Sequence, residues 1–326
     1  MSAAPMAVEL SEATVNGRPG RRLMVILRAP GCAWAAKGGC TNCGFPKSMG
    51  SGRPVTADEL VEQLDEAAAL AEGGERTPLQ VDLLVSGSFF NPDEIPVDAQ
   101  ERLLRRAAAI PGAARLLVET RPEYVTRPLL ERALAAACGL PLEVGIGLES
   151  ADETIREVRI RKGFTWAQFE AAARLLGECD AELLVYVLLK PIDTSEAEAV
   201  ADAVATCERV HALGRNLRLP TRVALQPCFV APGTPLEEAF LAGHYRPPWL
   251  WSVVEVVRQV AALGPLTIGL SDEGLGSPAQ PANCPACSAE VTAALAAVNA
   301  GAPVSSLDRL DCACRLEWRR LLAQPS

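Results

Sequence analysis

"RRLMVILRAPGCAWAAKGGCTNCGF", residues 21–45, joins a run of apolar and β-branched side chains to a Gly-rich loop carrying Cys32, Cys40 and Cys43. The apolar run ends at Pro30-Gly31, so it predicts a buried strand that delivers the loop from its C-terminal end. Downstream, "TADELVEQLDEAAALAEGG" (56–74) has Thr56 as a cap, Glu59 three residues on, apolar residues at helical spacing and paired Gly at its close. That pattern predicts a helix. Strand, loop and helix make one unit.

The unit repeats along the chain. Further strands are predicted at 79–87, 115–120, 142–150, 182–191 and 222–230, alternating with helices near 98–109, 127–137, 152–158, 165–178 and 195–213. Strands separated by helices argue for βαβ units and a parallel sheet. The expected fold class is α/β, a partial (β/α)6 TIM-like barrel, with a doubly wound open sheet as the runner-up. Near 231–245 the pattern changes to a helix around 249–262, a short strand at 266–270 and a Pro- and Cys-rich tail. The expected organisation is therefore an N-terminal extension (1–20), a barrel (21–240) and a small Cys-rich metal-binding extension (241–326).

Of the 326 residues 49% are hydrophobic and 5% aromatic, which suits a globular chain with a sizeable core. A formal net charge of −9 provides no broad basic field for phosphate backbones, so nucleic acid is a disfavoured partner. The N-terminus has no apolar core of signal-peptide length, and no apolar stretch of about 18 residues follows. These features predict a cytoplasmic protein with no membrane partner. In a reducing compartment, eleven cysteines point to metals or catalysis rather than disulfides.

Two clusters hold most of them. Cys284 and Cys287 in "NCPACSAEV" (283–291), with Cys312 and Cys314 in "DCACRLEW" (311–318), make a full ligand set for one site, zinc or iron–sulfur. In the first loop the C-x2-C pair alone would suit zinc or a redox disulfide. A structural zinc needs a fourth ligand, however, and the only histidines are His211 and His244. Three thiolates on a four-iron cluster would leave one iron open to a small molecule.

With its C-x7-C-x2-C loop the chain resembles the radical S-adenosylmethionine (radical SAM) superfamily over roughly residues 21–240. Within it, the resemblance is to the branch of archaeosine-synthase-type and Elongator-catalytic-subunit-type proteins, whose cysteine loop is longer than usual. The aromatic residue that generally precedes the last cysteine is Asn42 here, and Phe45 follows two places after Cys43. The resemblance implies that Cys32, Cys40 and Cys43 hold a [4Fe–4S] cluster whose fourth iron is chelated by SAM. It implies that Ser86-Gly87-Ser88, ending the second strand, receives the methionyl amino group. Glu119 near the end of the third strand, and Glu149 and Ser150 ending the fourth, are further expected SAM contacts. Arg161 or Lys162 is expected to pair with the SAM carboxylate.

The activity so implied is reductive cleavage of SAM to a 5′-deoxyadenosyl radical that abstracts hydrogen from substrate, with flavodoxin or ferredoxin as electron donor. The expected substrate is a small molecule, a nucleoside or sugar, and the tail is expected to hold a second [4Fe–4S] cluster, with zinc the alternative. That cluster would accept an electron or supply sulfur for insertion. Two competing functions are tRNA nucleobase modification of the archaeosine-synthase kind, with RNA affinity supplied by a partner subunit, and a zinc-stabilised interaction module. The last leaves the strand-end motifs unexplained. Cys138, Cys179, Cys207 and Cys228 read as packing residues, with Cys228 near enough to the sixth strand's end to face the barrel mouth. His211 reads as structural, while His244, Tyr245, Asp272 and Glu273 are candidates for reaching substrate.

Overall fold

Asn16 and Gly17 both take left-handed backbone, at φ 50° and 76°, the conformation a two-residue hairpin turn requires. They join strands β1 (Ala7–Val15) and β2 (Arg18–Leu27), which pair antiparallel along their whole length. Much of the expected N-terminal extension is thus an edge strand of the main sheet. The computed structural model describes residues 4–46, 52–71 and 77–323.

After β2 every strand is parallel to the one before it. These are β3 (Leu79–Val85), β4 (Ala113–Glu119), β5 (Leu142–Glu149), β6 (Glu182–Leu189), β7 (Thr221–Pro227) and β8 (Leu266–Ile268), ordered in the sheet as in the sequence. The crossovers carry helices α1 (Ala57–Ala68), α2 (Val97–Ala108), α3 (Arg127–Ala136), α4 (Trp166–Glu178) and α5 (Glu196–Leu217), with α6 (Pro235–Leu241) and α7 (Leu250–Val260) between the last two strands. Parallel crossovers share one hand, so an order that never reverses puts the helices on one face and curls the sheet around the other. A doubly wound sheet needs a reversal, which does not occur. The result is the expected partial TIM-like barrel, lengthened by β8. The tail adds α8 (Ser288–Asn299) and α9 (Arg315–Leu322), and its Val291, Leu295, Leu307 and Trp318 pack into the same core as the barrel helices.

Local signals explain the helix starts. Thr56 and Glu59 form a reciprocal capping box at α1, and Thr165 and Gln168 another at α4. Helix α1 closes at Ala68, and the paired Gly73 and Gly74 lie outside the described residues. No described helix is long and apolar enough to cross a membrane.

Along each strand alternate residues part company. Leu23, Val25 and Leu27 join Val81, Leu83, Val144, Ile146, Val185 and Val223 beneath the helices. Met24, Ile26, Leu84, Leu117, Leu184 and Ala224 point the other way and form a second apolar layer inside the barrel. Charge also enters the lumen. Glu143, 1% exposed, is gripped by Arg222 at 2.6 Å and Arg115 at 3.1 Å, and Asp82 takes Arg22 at 2.5 Å and Gln80 at 2.8 Å.

Burial alone would raise the Glu143 pKa, but the two guanidiniums, Arg222 foremost, hold it below the ordinary carboxylate range. A carboxylate depressed in the fold contributes stability above its unfolded pKa and loses it as pH falls through the folded value. Glu143→Gln takes the carboxylate from Arg222, while Arg115 keeps its pairing with Glu182, and is expected to cost about 3 kcal/mol in denaturant unfolding at neutral pH. The gap to wild type should close as pH drops below about 4.

Candidate active site

Cys32, Cys40 and Cys43 follow β2 and line one cavity of about 530 Å3 at the C-terminal mouth of the barrel, within the size range of small-ligand sites. Three anchors hold the loop there. First, Gly87 lets the chain pass: a Cβ on it would lie 3.2 Å from the Cys32 Cα and 1.9 Å from Glu94 Oε2. Buried Glu94 then accepts hydrogen bonds from the Ala33 amide (2.8 Å), the Ser88 amide (2.5 Å) and Asn91 Nδ2 (2.8 Å), tying the loop to the end of β3. Second, Thr41 donates from its amide to the Ile160 carbonyl at 3.0 Å and from its hydroxyl to the Arg159 carbonyl at 2.8 Å.

Third, the Trp34 indole donates to the Arg161 carbonyl at 2.9 Å, and its ring lies so close over Gly163 that a Cβ there would fall 2.2 Å from Trp34 Cζ2. Arg121 covers the same ring, 4.9 Å from its centroid, and donates to the Lys162 carbonyl at 2.9 Å. The 150–164 segment that receives these contacts contains a turn of π-helix, Thr154–Arg159, closed by Ile160 N donating to Ile155 O at 2.9 Å. Fully buried Arg156 spans it, donating to the Phe164 and Ser150 carbonyls at 3.0 Å each.

Inside the mouth, β5 carries Gly145 and Gly147 on its lumen side. A Cβ on Gly147 would meet Glu149 Oε1 at 2.5 Å and Lys162 Nζ at 2.7 Å, and one on Gly145 would crowd Glu119 and Tyr186 at 3.1 and 3.2 Å. The two glycines make room for two polar pairs, Lys162 on Glu149 at 2.7 Å and the Tyr186 hydroxyl on Glu119. Glu149 is itself left-handed, at φ 68°. Burial pushes Glu119 up to about 7, against the hydrogen bond from Tyr186, which lowers it. Burial also raises Cys40 and takes Cys43 up to about 12, and a bound cation would offset that by favouring the thiolates.

The expected site residues divide by place. Ser86, Gly87, Glu119, Glu149 and Lys162 line the cavity with the three thiols. Ser88 and Ser150 are buried beside it, Ser88 Oγ accepting from the Arg121 amide at 3.2 Å and Ser150 Oγ donating to Asp202 at 2.7 Å. The Arg161 side chain is exposed, while its carbonyl holds Trp34. Cys228, Asp272 and Glu273 line the cavity; His244 is exposed, and Tyr245 is buried with its hydroxyl on the Lys190 carbonyl at 2.8 Å. His211 packs against Gly264 on the outer layer. None of Cys284, Cys287, Cys312 and Cys314 lines the cavity. Glu94, Trp34, Arg121 and Arg156 escape a reading by motif. The one prior signal is Gly-x-Gly within an apolar strand, which marks close approach.

A singly wound half-barrel with a three-thiol loop at its mouth is the architecture of radical SAM enzymes, and residues 26–204 match the family described as the Radical SAM superfamily. The chain belongs to that superfamily, alongside proteins of the archaeosine-synthase subunit beta type, and is an iron–sulfur, SAM-dependent enzyme. It is 33% identical over 309 residues to archaeosine synthase subunit beta of Methanosarcina acetivorans, covering 94% of this chain and 87% of that one. To the protein of the same name from Thermococcus kodakarensis it is 30% identical, over 96% and 95% of the two chains. The solved Elp3 of Methanocaldococcus infernus shares the fold, with a TM-score of 0.52 at 15% identity; the match covers 78% of this chain and 59% of that one.

The residues present fit a [4Fe–4S] cluster with SAM. Ser86 Oγ and Asn42 Oδ1 are buried on the cavity lining with no hydrogen-bond partner, so a polar ligand has groups to satisfy. The three thiols are also too dispersed for one ion. Among the described residues only the tail quartet brings all its ligand atoms within 4.8 Å of one another. That quartet is a donor set for zinc or a second cluster.

Because the Tyr186 hydroxyl favours the ionised form of Glu119, Tyr186→Phe is expected to move the Glu119 pKa above 7. The pH profile of 5′-deoxyadenosine formation should inflect near 7 in the wild type, shift upward in Tyr186→Phe and lose that inflection in Glu119→Gln.

Proposed function

We propose that this chain modifies a nucleobase of tRNA by radical chemistry, as one subunit of an assembly. The observation that carries the reading is near full-length similarity to two proteins named archaeosine synthase subunit beta. A free nucleoside or sugar substrate with sulfur insertion, the reading the sequence first favoured, gives way to it. The tail thiols do not line the cavity, which supports hydrogen abstraction without sulfur insertion.

When bound, the reduced cluster and SAM supply a 5′-deoxyadenosyl radical for hydrogen abstraction. The chain's own residues hold and shield the reactants. In this reading Ser86 and the Gly87 backbone take the methionyl end of SAM, and the Lys162–Glu149 pair presents an ammonium to its carboxylate and a carboxylate to an amine or ribose hydroxyl. Ser88 and Ser150 position the segments that carry those groups, and Arg161 takes part in this through its backbone carbonyl alone, its side chain being exposed. The apolar lumen layer beneath, with Leu84, Leu117 and Leu184, helps keep water from the radical.

A net charge of −9 does not capture a phosphate backbone by itself. Lys37 is exposed between Ala35 and Gly38 on the cavity rim, and the side chain of Arg161 is exposed on the turn that clasps the same loop. These two cations are assigned to the RNA backbone near the mouth, with a partner subunit supplying the remaining affinity and flavodoxin or ferredoxin the electron.

The test uses tRNA from cells deleted for this chain, in which its substrate accumulates. Intact tRNA is expected to raise 5′-deoxyadenosine formation well above the substrate-free rate, and the nucleosides obtained by digesting the same tRNA are not. Stimulation by the nucleosides as strong as by intact tRNA would return the small-molecule reading. The double variant Lys37→Glu, Arg161→Glu should weaken tRNA dependence while leaving substrate-free SAM cleavage within about twofold, and should flatten the salt dependence.

A further inference from the structure

The sulfurs of the C-terminal quartet stand almost in contact. Cys284 Sγ lies 3.7 Å from Cys287 Sγ and 3.5 Å from Cys312 Sγ, Cys287 Sγ lies 3.6 Å from Cys314 Sγ, and all four fall within 4.8 Å of one another. Four thiolates about 2.3 Å from one tetrahedral ion are necessarily about 3.8 Å apart, the edge of that tetrahedron. A cubane imposes the opposite geometry: each thiolate binds a different iron at a separate corner, so the sulfurs stand far outside contact with one another. The N-terminal three do not all fall within 4.8 Å of one another.

We propose that Cys284, Cys287, Cys312 and Cys314 hold a single zinc ion as a structural clamp, and that this chain carries one iron–sulfur cluster only. The site is closed on all four corners by protein sulfur, leaving no position for substrate or water, as in structural rather than catalytic zinc sites.

Its surroundings fit a clamp. Cys287 immediately precedes α8 and Cys314 immediately precedes α9, so the ion fastens the two tail helices together at their N-terminal ends, where the helix dipole favours thiolate. The buried Trp251 of α7 donates from its indole to Cys314 Sγ at 3.3 Å, and its amide donates to Asn283 Oδ1 at 3.2 Å, beside Cys284. Such N–H···S contacts orient and stabilise the ligands of a metal site. From α9, Trp318 donates to Ser252 Oγ at 2.8 Å, Ser252 donates to Glu196 at 2.6 Å, and Glu196 pairs with Lys190 at 2.6 Å just beyond the end of β6. The ion therefore braces α7 and the start of α5 against the barrel.

The inference is independent of the tRNA reading, and metal content tests it directly. The chain isolated without oxygen is expected to hold about one zinc, with iron and sulfide for one four-iron cluster. The triple variant Cys32→Ala, Cys40→Ala, Cys43→Ala, reconstituted with iron and sulfide, is expected to keep its zinc and bind no cluster. A [4Fe–4S] absorbance and electron paramagnetic resonance signal in that variant would overturn the proposal, since the tail is its remaining clustered donor set. Cobalt in place of zinc should give tetrahedral thiolate charge-transfer bands that weaken in Cys312→Ser. Octahedral cobalt, or none bound, would count equally against it.

Discussion

The clasp between the cysteine loop and the turn after β5 is the constraint on which the active site depends. Cys32 and Cys40 are separated by seven residues, long enough for the intervening backbone to wander. Thr41 fixes the far end of that span by two hydrogen bonds to residues 159 and 160, and Trp34 fixes the near end by one to residue 161. Each bond is worth about 1 kcal/mol net, and the stacked Trp34 and Arg121 add packing that only a glycine at 163 permits. The same turn carries Lys162. Docking the loop therefore brings the thiols and the Lys162–Glu149 pair to one mouth in a single step, which is the preorganisation a cofactor-loaded site needs.

The barrel below pays for that mouth in small residues and buried charge. Strand β5 gives up side chains at Gly145 and Gly147 so that Glu119, Tyr186, Glu149 and Lys162 fit in the lumen. Buried carboxylates are tolerated for different reasons at different depths. Glu143 keeps its charge between two guanidiniums, whereas Glu119 has a phenol for a partner and drifts to about 7. Arg156, with no solvent exposure, spends its guanidinium on backbone carbonyls at both ends of the 150–164 segment and so holds the π-turn in place.

Local chemistry was legible in the sequence wherever one segment carried it. The strand entering the cysteine loop, the Thr56–Glu59 box and the alternation of strands and helices all declare themselves within a few residues. Asn16-Gly17 declares a hairpin just as locally, and reading residues before 21 as an extension overlooked it. What escaped needs the fold. Glu94 reaches the loop from 61 residues away, and Arg115 and Arg222 converge on Glu143 from different strands. Spacing of cysteines in the tail named a ligand set, but only the sulfur-to-sulfur distances speak to how many metals it surrounds.

The most direct test of the central claim is a single-turnover assay without oxygen. Protein with its full complement of iron and sulfide is mixed with SAM and dithionite, and methionine and 5′-deoxyadenosine are quantified together. The account predicts equal amounts of the two products, lost when Cys40 alone is replaced by Ala. Fully loaded protein that leaves SAM intact would contradict it.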